Sequence, residues 1–162
     1  AGPDPTLTAG EDRVYVVYGD AGVNQTPDVF AVALDGRLRP LSRVQVNPVE
    51  KQPTQQFFPT AALDPTTGVL WACWYDTTGD HTRKRTRYTC ASSADDGATW
   101  TAPATAAMVF SNETLRGATT FEYGDYAGLA VANGIAHPMW TDTRELAANA
   151  EEIYTTALQL PQ

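Results

Sequence analysis

The chain has 162 residues, 43% of them hydrophobic, and a formal net charge of -8. That is enough for one ordinary domain with a core of its own, and too apolar for a disordered segment. The acidic balance argues against a nucleic-acid backbone or an anionic membrane as partner, and no apolar run approaches the ~20 residues of a membrane span.

In chain order, the first strand expected is the short stretch "PTLTAGED" (5–12), followed by "RVYVVYGD" (13–20), "DVFAVALD" (28–35) and "LRPLSRVQV" (38–46). Period-two alternation bounded by Gly, Pro, Asp and Asn is the strand signal. The dipeptide Asp35-Gly36 reads as a tight hairpin between the third and fourth. The same order then returns as "FPTAALDPTTG" (58–68), "VLWACWYD" (69–76), "RYTCASSAD" (87–95) and "TAPATAAMV" (101–109). A third pass supplies "YAGLAVANG" (126–134), "IAHPMWTD" (135–142) and "EIYTTALQL" (152–160). Asp20, Asp76 and Asp142 close the second strand of each pass. Four-strand units recurring every 40 to 50 or so residues are the signature of β-propeller blades. The expectation is an all-β partial propeller over 1–162, with blade-like units at 4–48, 56–110 and 121–160 and the last unit lacking its fourth strand. The basic run Arg83-Lys84-Arg85 reads as a solvated loop.

The hairpin of the second unit fixes a register. Pairing Asp76 with Arg87 sets Tyr75 opposite Tyr88, Trp74 opposite Thr89 and Cys73 opposite Cys90. Opposed side chains sit about 4.5–5.5 Å apart at Cβ, close enough for Cys73 and Cys90 to form a cross-strand disulfide in an exported chain. Two buried reduced thiols are the alternative.

Between the third and fourth strands of that unit lies "SADDGATW" (93–100). Asp95 can accept turn amides, Gly97 can take a positive φ, and Trp100 can fold back onto the blade. Ser93, Asp95, Gly97, Thr99 and Trp100 match the Ser/Thr-x-Asp-x-Gly-x-Thr-Trp box of the sialidase-like, or BNR-repeat, propellers. The surrounding "FFPTAALDPTTGVLWACWYDT" and "GDYAGLAVANGIAHPMWTDTR" resemble that family too. The resemblance implies a structural role for the box, on the turn opposite the active-site mouth. It also implies a six-bladed ring, of which this chain looks like the C-terminal half. The missing N-terminal half would lie on the same precursor or another chain, with a second copy as the alternative partner. An open stack would expose two sheet faces.

Ligand chemistry then belongs to the loops of the other end, at 20–27, 47–57, 77–85, 110–123 and 143–151. The leading reading is an extracellular propeller, secreted or on the cell surface, that recognises a carbohydrate or protein ligand at its axial mouth. An exo-sialidase-like glycoside hydrolase is the alternative, and a non-catalytic scaffold subunit the third. Sialidases use a tyrosine nucleophile helped by a carboxylate, a second carboxyl as acid/base and arginines on the substrate carboxylate. Tyr123, Glu122 and Asp125 supply the first three types, although neighbours on a strand point to opposite faces, which sets Glu122 against Tyr123. Arg144, Asp142, Asp76, Tyr126 and Arg116 are the substrate-binding candidates. The Arg-Ile-Pro signature of active sialidases is absent from these residues. No cofactor is expected, with calcium at Asp125 and Asp142 as a weak alternative; the spacing of His81 and His137 does not suit zinc.

Overall fold

A computed structural model describes residues 5–10, 12–112, 127–144 and 152–159, and among them every regular element is a strand. The first sheet contains β1 (Thr6–Ala9), β2 (Arg13–Ala21), β3 (Pro27–Asp35) and β4 (Pro40–Gln45). The second contains β5 (Gln56–Leu63), β6 (Leu70–Asp76), β7 (Arg87–Ser93) and β8 (Ala104–Thr105). The third contains β9 (Gly128–Ala132), β10 (Ile135–Asp142) and β11 (Glu152–Thr155). All pairs are antiparallel and follow chain order, with β9, β10 and β11 forming a three-stranded sheet. The chain is therefore all-β, with three antiparallel sheets.

The sheets stack face to face because of the pattern in β6. Leu70, Ala72 and Trp74 point to one side, where they meet Tyr15, Val17, Val29, Ala31 and Ala33 of the first sheet. Trp71, Cys73 and Tyr75 point to the other, against Trp140, Ala136 and Leu129 of the third. Both sides of β6 are buried, so "LWACWY" is continuously apolar, as strands covered on both faces are. Phe57, Tyr75, Tyr88, Trp140 and Tyr154 form a chain of ring contacts from the second sheet into the third, with centroid separations of 5.6, 4.9, 5.3 and 6.3 Å. Within it the Tyr75 hydroxyl accepts the Thr141 amide at 2.9 Å and donates to the Thr141 carbonyl at 3.1 Å. The β6–β7 register is the one read from the sequence, and Cys73 and Cys90 are joined as a disulfide with Cα atoms 4.0 Å apart.

The SADDGATW turn is closed by its own side chains. Asp95 Oδ1 accepts the Thr99 amide at 2.8 Å and Oδ2 accepts the Thr99 hydroxyl at 2.6 Å. The Ser93 hydroxyl donates to Asp95 Oδ1 and accepts the Gly97 amide. Gly97 sits at φ 80°, where a side chain is strained although space exists for one. Trp100 folds back to donate to the Gly97 carbonyl at 3.2 Å and packs against both core clusters between the first and second sheets. The next carboxylate, Asp96, accepts the Tyr15 hydroxyl at 2.7 Å and lies 3.5 Å from Arg13, so the turn tethers one sheet to the other. At the same end Asp64 accepts the Gly134 amide at 2.6 Å and ties the second sheet to the third.

The first sheet carries a reduced version of that turn. Asp35 Oδ1 accepts the Arg39 amide at 2.9 Å, again four residues on, and Oδ2 is held by the Arg39 guanidinium in place of a threonine hydroxyl. The hairpin is not the two-residue Asp35-Gly36 turn expected. Its loop runs through Gly36–Leu38 with Leu38 at φ 59°, because the side chain of Asp35 draws in the amides of both Arg37 and Arg39. The fourth strand of the second unit is also shorter than expected. Pro103 has no amide to donate, and Ala106 and Ala107 both turn to the Tyr88 carbonyl, which ends the ladder at Thr105.

Two sheet faces stay open. On the first sheet Leu7, Val14, Val16, Tyr18, Val32 and Leu34 share the face turned away from the second, where Leu7 is 64% exposed. On the third, Met139 and Ile153 are 41% and 65% exposed. Contiguous apolar faces of this kind associate in water. The isolated 162-residue chain is expected to sediment as oligomer or aggregate; a compact monomer of 17.5 kDa would contradict that.

Two further outcomes follow from the turn and the disulfide. The protein unfolded without reductant should show no free thiol, and two after reduction; removing the cross-link by Cys73→Ser with Cys90→Ser should cost about 3 kcal/mol in urea unfolding, the loop entropy of a closure of roughly this length. The bonds from Thr99 and Ser93 hold the Asp95 carboxyl down at about 2. A carboxylate depressed in the folded state stabilises above its unfolded value near ~3.9 and loses that contribution as pH falls through the folded value. The gap in melting temperature between the native chain and Asp95→Asn should therefore be full at about pH 5 and close towards about pH 2.

Candidate functional site at the end opposite the tryptophan turn

β6 runs from Leu70, which pairs with Ser93 at the start of the tryptophan turn, to Asp76 at the far end. The three repeated aspartates all lie at that far end, since each terminates or nearly terminates the second strand of its sheet. They do different things there. Asp20 is exposed and pairs with Arg43 of β4 at 2.9 Å, while the Arg43 guanidinium lies 3.9 Å over the Phe30 ring. Asp76 caps the next turn through the Thr78 amide at 2.8 Å. Asp142 does the same with the Arg144 amide at 2.8 Å, and its Oδ2 is held by the Arg144 guanidinium and by the Trp140 indole N–H. Arg144 also lies 4.1 Å over the Tyr154 ring.

Both oxygens of Asp142 are therefore engaged by donors, one of them a guanidinium, which is a poor setting for a calcium ion. Among the described residues no three His, Cys, Asp or Glu side chains gather as a metal site. The catalytic candidates Glu122, Tyr123 and Asp125, and the binding candidates Arg116 and Tyr126, lie outside the described residues. Of the remaining candidates, Asp76 belongs to a network between the first and second sheets, and Asp142 with Arg144 belongs to the third sheet.

The network around Asp76 was not read from the sequence. Asn47 Oδ1 accepts the Val29 amide at 2.8 Å, and its Nδ2 donates to Asp28 Oδ1 at 2.8 Å and to Gln56 Oε1 at 3.3 Å. Gln56 Nε2 in turn donates to Asp76 Oδ1 at 2.8 Å. Two carboxylates from neighbouring sheets are thus joined through two buried amides. Asp28 is pushed above the ordinary carboxylate range, first by burial and then by the nearby charge of Asp76, against the lowering effect of its bond from Asn47. Its position depends on Gly22, where a Cβ would fall 1.5 Å from the Asp28 carboxylate oxygen. The only sequence signal for this group is that Asp28, Asn47 and Gln56 each flank an apolar run within three residues of a proline.

The loop after Asp76 is organised by Asp80. Burial alone would raise this carboxyl, but the Thr82 hydroxyl and the amides of Arg85 and Lys84 hold it well below the usual range. Arg85 and Arg87 both lie against the Phe110 ring, at 4.9 and 4.0 Å from its centroid. Next to the Asn47–Gln56–Asp76 network a cleft of about 180 Å3 is lined by Glu50, Asp76, Thr78, Arg87 and Thr105.

No protein-family profile matches the chain, and no curated protein sequence does. Solved structures do match it in fold. The Hadza microbial sialidase Hz136 superposes with a TM-score of 0.62 at 13% identity, over 98% of this chain and 35% of that one. A family 117 glycoside hydrolase, Zg3597, from the marine bacterium Zobellia galactanivorans gives 0.57 at 9% identity, over 97% and 52%. The α-L-arabinofuranosidase CtGH43 from Clostridium thermocellum gives 0.53 at 13% identity, over 99% and 48%. The chain thus spans between a third and about half of the structures it resembles, all of them β-propeller-type folds of glycoside hydrolases.

Proposed function

We propose that the chain is part of a secreted, sialidase-like Asp-box propeller that recognises a carbohydrate ligand at the end opposite its tryptophan turn. The observation that carries this reading is the division of labour along β6 and β7. At the Ser93–Trp100 end the carboxylates of Asp95, Asp96 and Asp64 are bound up in turns and sheet-to-sheet tethers. At the Asp76 end the same sheets present amides, carboxylates and arginines beside a cleft. The matched structures are glycoside hydrolases, which supports a carbohydrate as the ligand class, at the level of fold only.

The partial coverage of those structures supports a second element of the proposal. Further sheets, on the same precursor or another chain, cover the open faces of the first and third sheets and complete a ring, six-bladed if the sialidase comparison holds; a second copy of this chain is the alternative occupant.

The likeness to a sialidase favours an exo-sialidase as the second reading. There Tyr123 would be the nucleophile, Glu122 its activating partner, Asp125 the acid/base, and Arg144 with Arg116 the anchor for a substrate carboxylate. Arginine suits that anchor because its fork meets both oxygens.

The test uses the full-length protein with a fluorogenic sialoside and a glycan array. Selective glycan binding without turnover is the expected result. Turnover lost in Tyr123→Phe would establish the enzyme instead, and turnover untouched by that change would remove Tyr123 as nucleophile. No binding and no turnover, with tight association to another subunit, would replace both readings with a scaffold.

A further inference from the structure

The cleft beside Asp76 lies at the end to which the proposed function assigns the ligand, and the inference rests on that reading. It lies between the 46–55 linker and the second sheet, and all four strands of that sheet contribute to it: Gln56 from β5, Asp76 from β6, Arg87 from β7 and Thr105 from β8. The linker supplies Asn47 and Glu50, and it is pinned in place where the Asn24 amide donates to the Glu50 carbonyl at 3.1 Å.

Size and chemistry limit what it can hold. Its volume is about 180 Å3. A cavity of roughly 150 Å3 accommodates a benzene-sized ring, so this cleft admits one six-membered ring and little more. Pro48 and Pro103 give it apolar wall, and polar side chains line the rest. Arg87 Nε is buried and has no hydrogen-bond partner among the described residues, although the guanidinium is fixed over Phe110. Asp76 commits Oδ1 to Gln56 and Thr78, and among the described residues Oδ2 takes no hydrogen bond. Glu50 and the Thr105 hydroxyl stand nearby. A guanidinium, two carboxylates and a hydroxyl lining one cleft match a ligand whose every edge carries an O–H that both donates and accepts.

We propose that this cleft binds a single neutral sugar ring. Arg87 donates to one ring hydroxyl, and Glu50 and Asp76 accept from others. The ring is neutral because two carboxylates against one guanidinium, in a chain of net charge -8, repel an acidic sugar. The Asn47–Gln56 amide chain acts as a positioning element that holds the Asp76 carboxylate in place. This deepens the proposed function: glycan binding that ignores Glu50 and Arg87 would sink the cleft and leave that reading standing.

Saturation-transfer NMR on the full-length protein tests it, with methyl β-galactopyranoside, methyl α-glucopyranoside and N-acetylneuraminate as probes. A ligand of about a dozen heavy atoms at ordinary efficiency binds in the millimolar range, which the method reads. At least one neutral glycoside should bind, and N-acetylneuraminate at this cleft at least about tenfold more weakly. Glu50→Gln, a half-buried linker position, should weaken the neutral probe by about fivefold or more with an unchanged melting temperature. Arg87→Lys should weaken it likewise, because a lysine cannot keep the stacked fork. No transfer to either neutral glycoside, binding indifferent to both Glu50→Gln and Arg87→Lys, or preference of the cleft for N-acetylneuraminate would each overturn the proposal.

Discussion

The structure depends on one sheet being buried from both sides. β6 and β7 carry no solvent face along most of their length, so every side chain on them has to fit one neighbour or the other. Trp74 and Trp71 are the largest of these, three residues apart on one strand and facing opposite sheets, and both are fully buried. Burying such a side chain contributes on the order of 2–3 kcal/mol. Neither could be satisfied by a two-sheet arrangement. The first and third sheets are therefore held apart by a layer that packs against both, and the order of the three follows from the alternation in a single strand.

Stacking by apolar faces alone leaves sheets free to slide, and polar tethers remove that freedom at both ends. Asp96 to Tyr15 and Asp64 to Gly134 hold the tryptophan-turn end. At the far end Asn47 links the first sheet to Gln56 of the second, and Ser111 shares its hydroxyl with Thr143 of the third at 3.1 Å. The Tyr75 hydroxyl bridges the backbone of Thr141 between them. The two ends differ in what their carboxylates have left to offer. Asp95 has both oxygens filled by donors from its own turn, and Asp64 one by its own turn and the other by the third sheet. Asp76 is half used, and it stands beside an arginine whose Nε is unmatched among the described residues. Residual bonding capacity of this kind lies at the Asp76 end.

The strands were legible in the sequence because each obeys a local rule. The alternation rule finds both "RVYVVYGD" and "VLWACWYD" as strands, but it does not tell that the second is covered on both sides. The β6–β7 register was legible because Asp76 and Arg87 mark the same end of two strands of equal length. The turn after β7 was legible because its bonds span four residues. What was illegible is of another kind. Leu38 in a left-handed conformation has no signal, since leucine avoids it and only the pull of Asp35 on two amides imposes it. The Asp28–Asn47–Gln56–Asp76 network joins residues up to 48 positions apart, each of which alone reads as an ordinary polar strand end.

That network also has a direction, set by one backbone group. The Val29 amide can only donate, so it fixes Asn47 with its oxygen inward and its nitrogen outward. The outward nitrogen meets Gln56 Oε1, which turns the Gln56 nitrogen towards Asp76. Reversing either amide would set donor against donor at one junction and acceptor against carboxylate at the next. The orientation of Asp76 is thus inherited, through two side chains, from the first hydrogen bond of a strand in the neighbouring sheet. Asp28, fed by the same Asn47 nitrogen, is held above the ordinary carboxylate range by its burial.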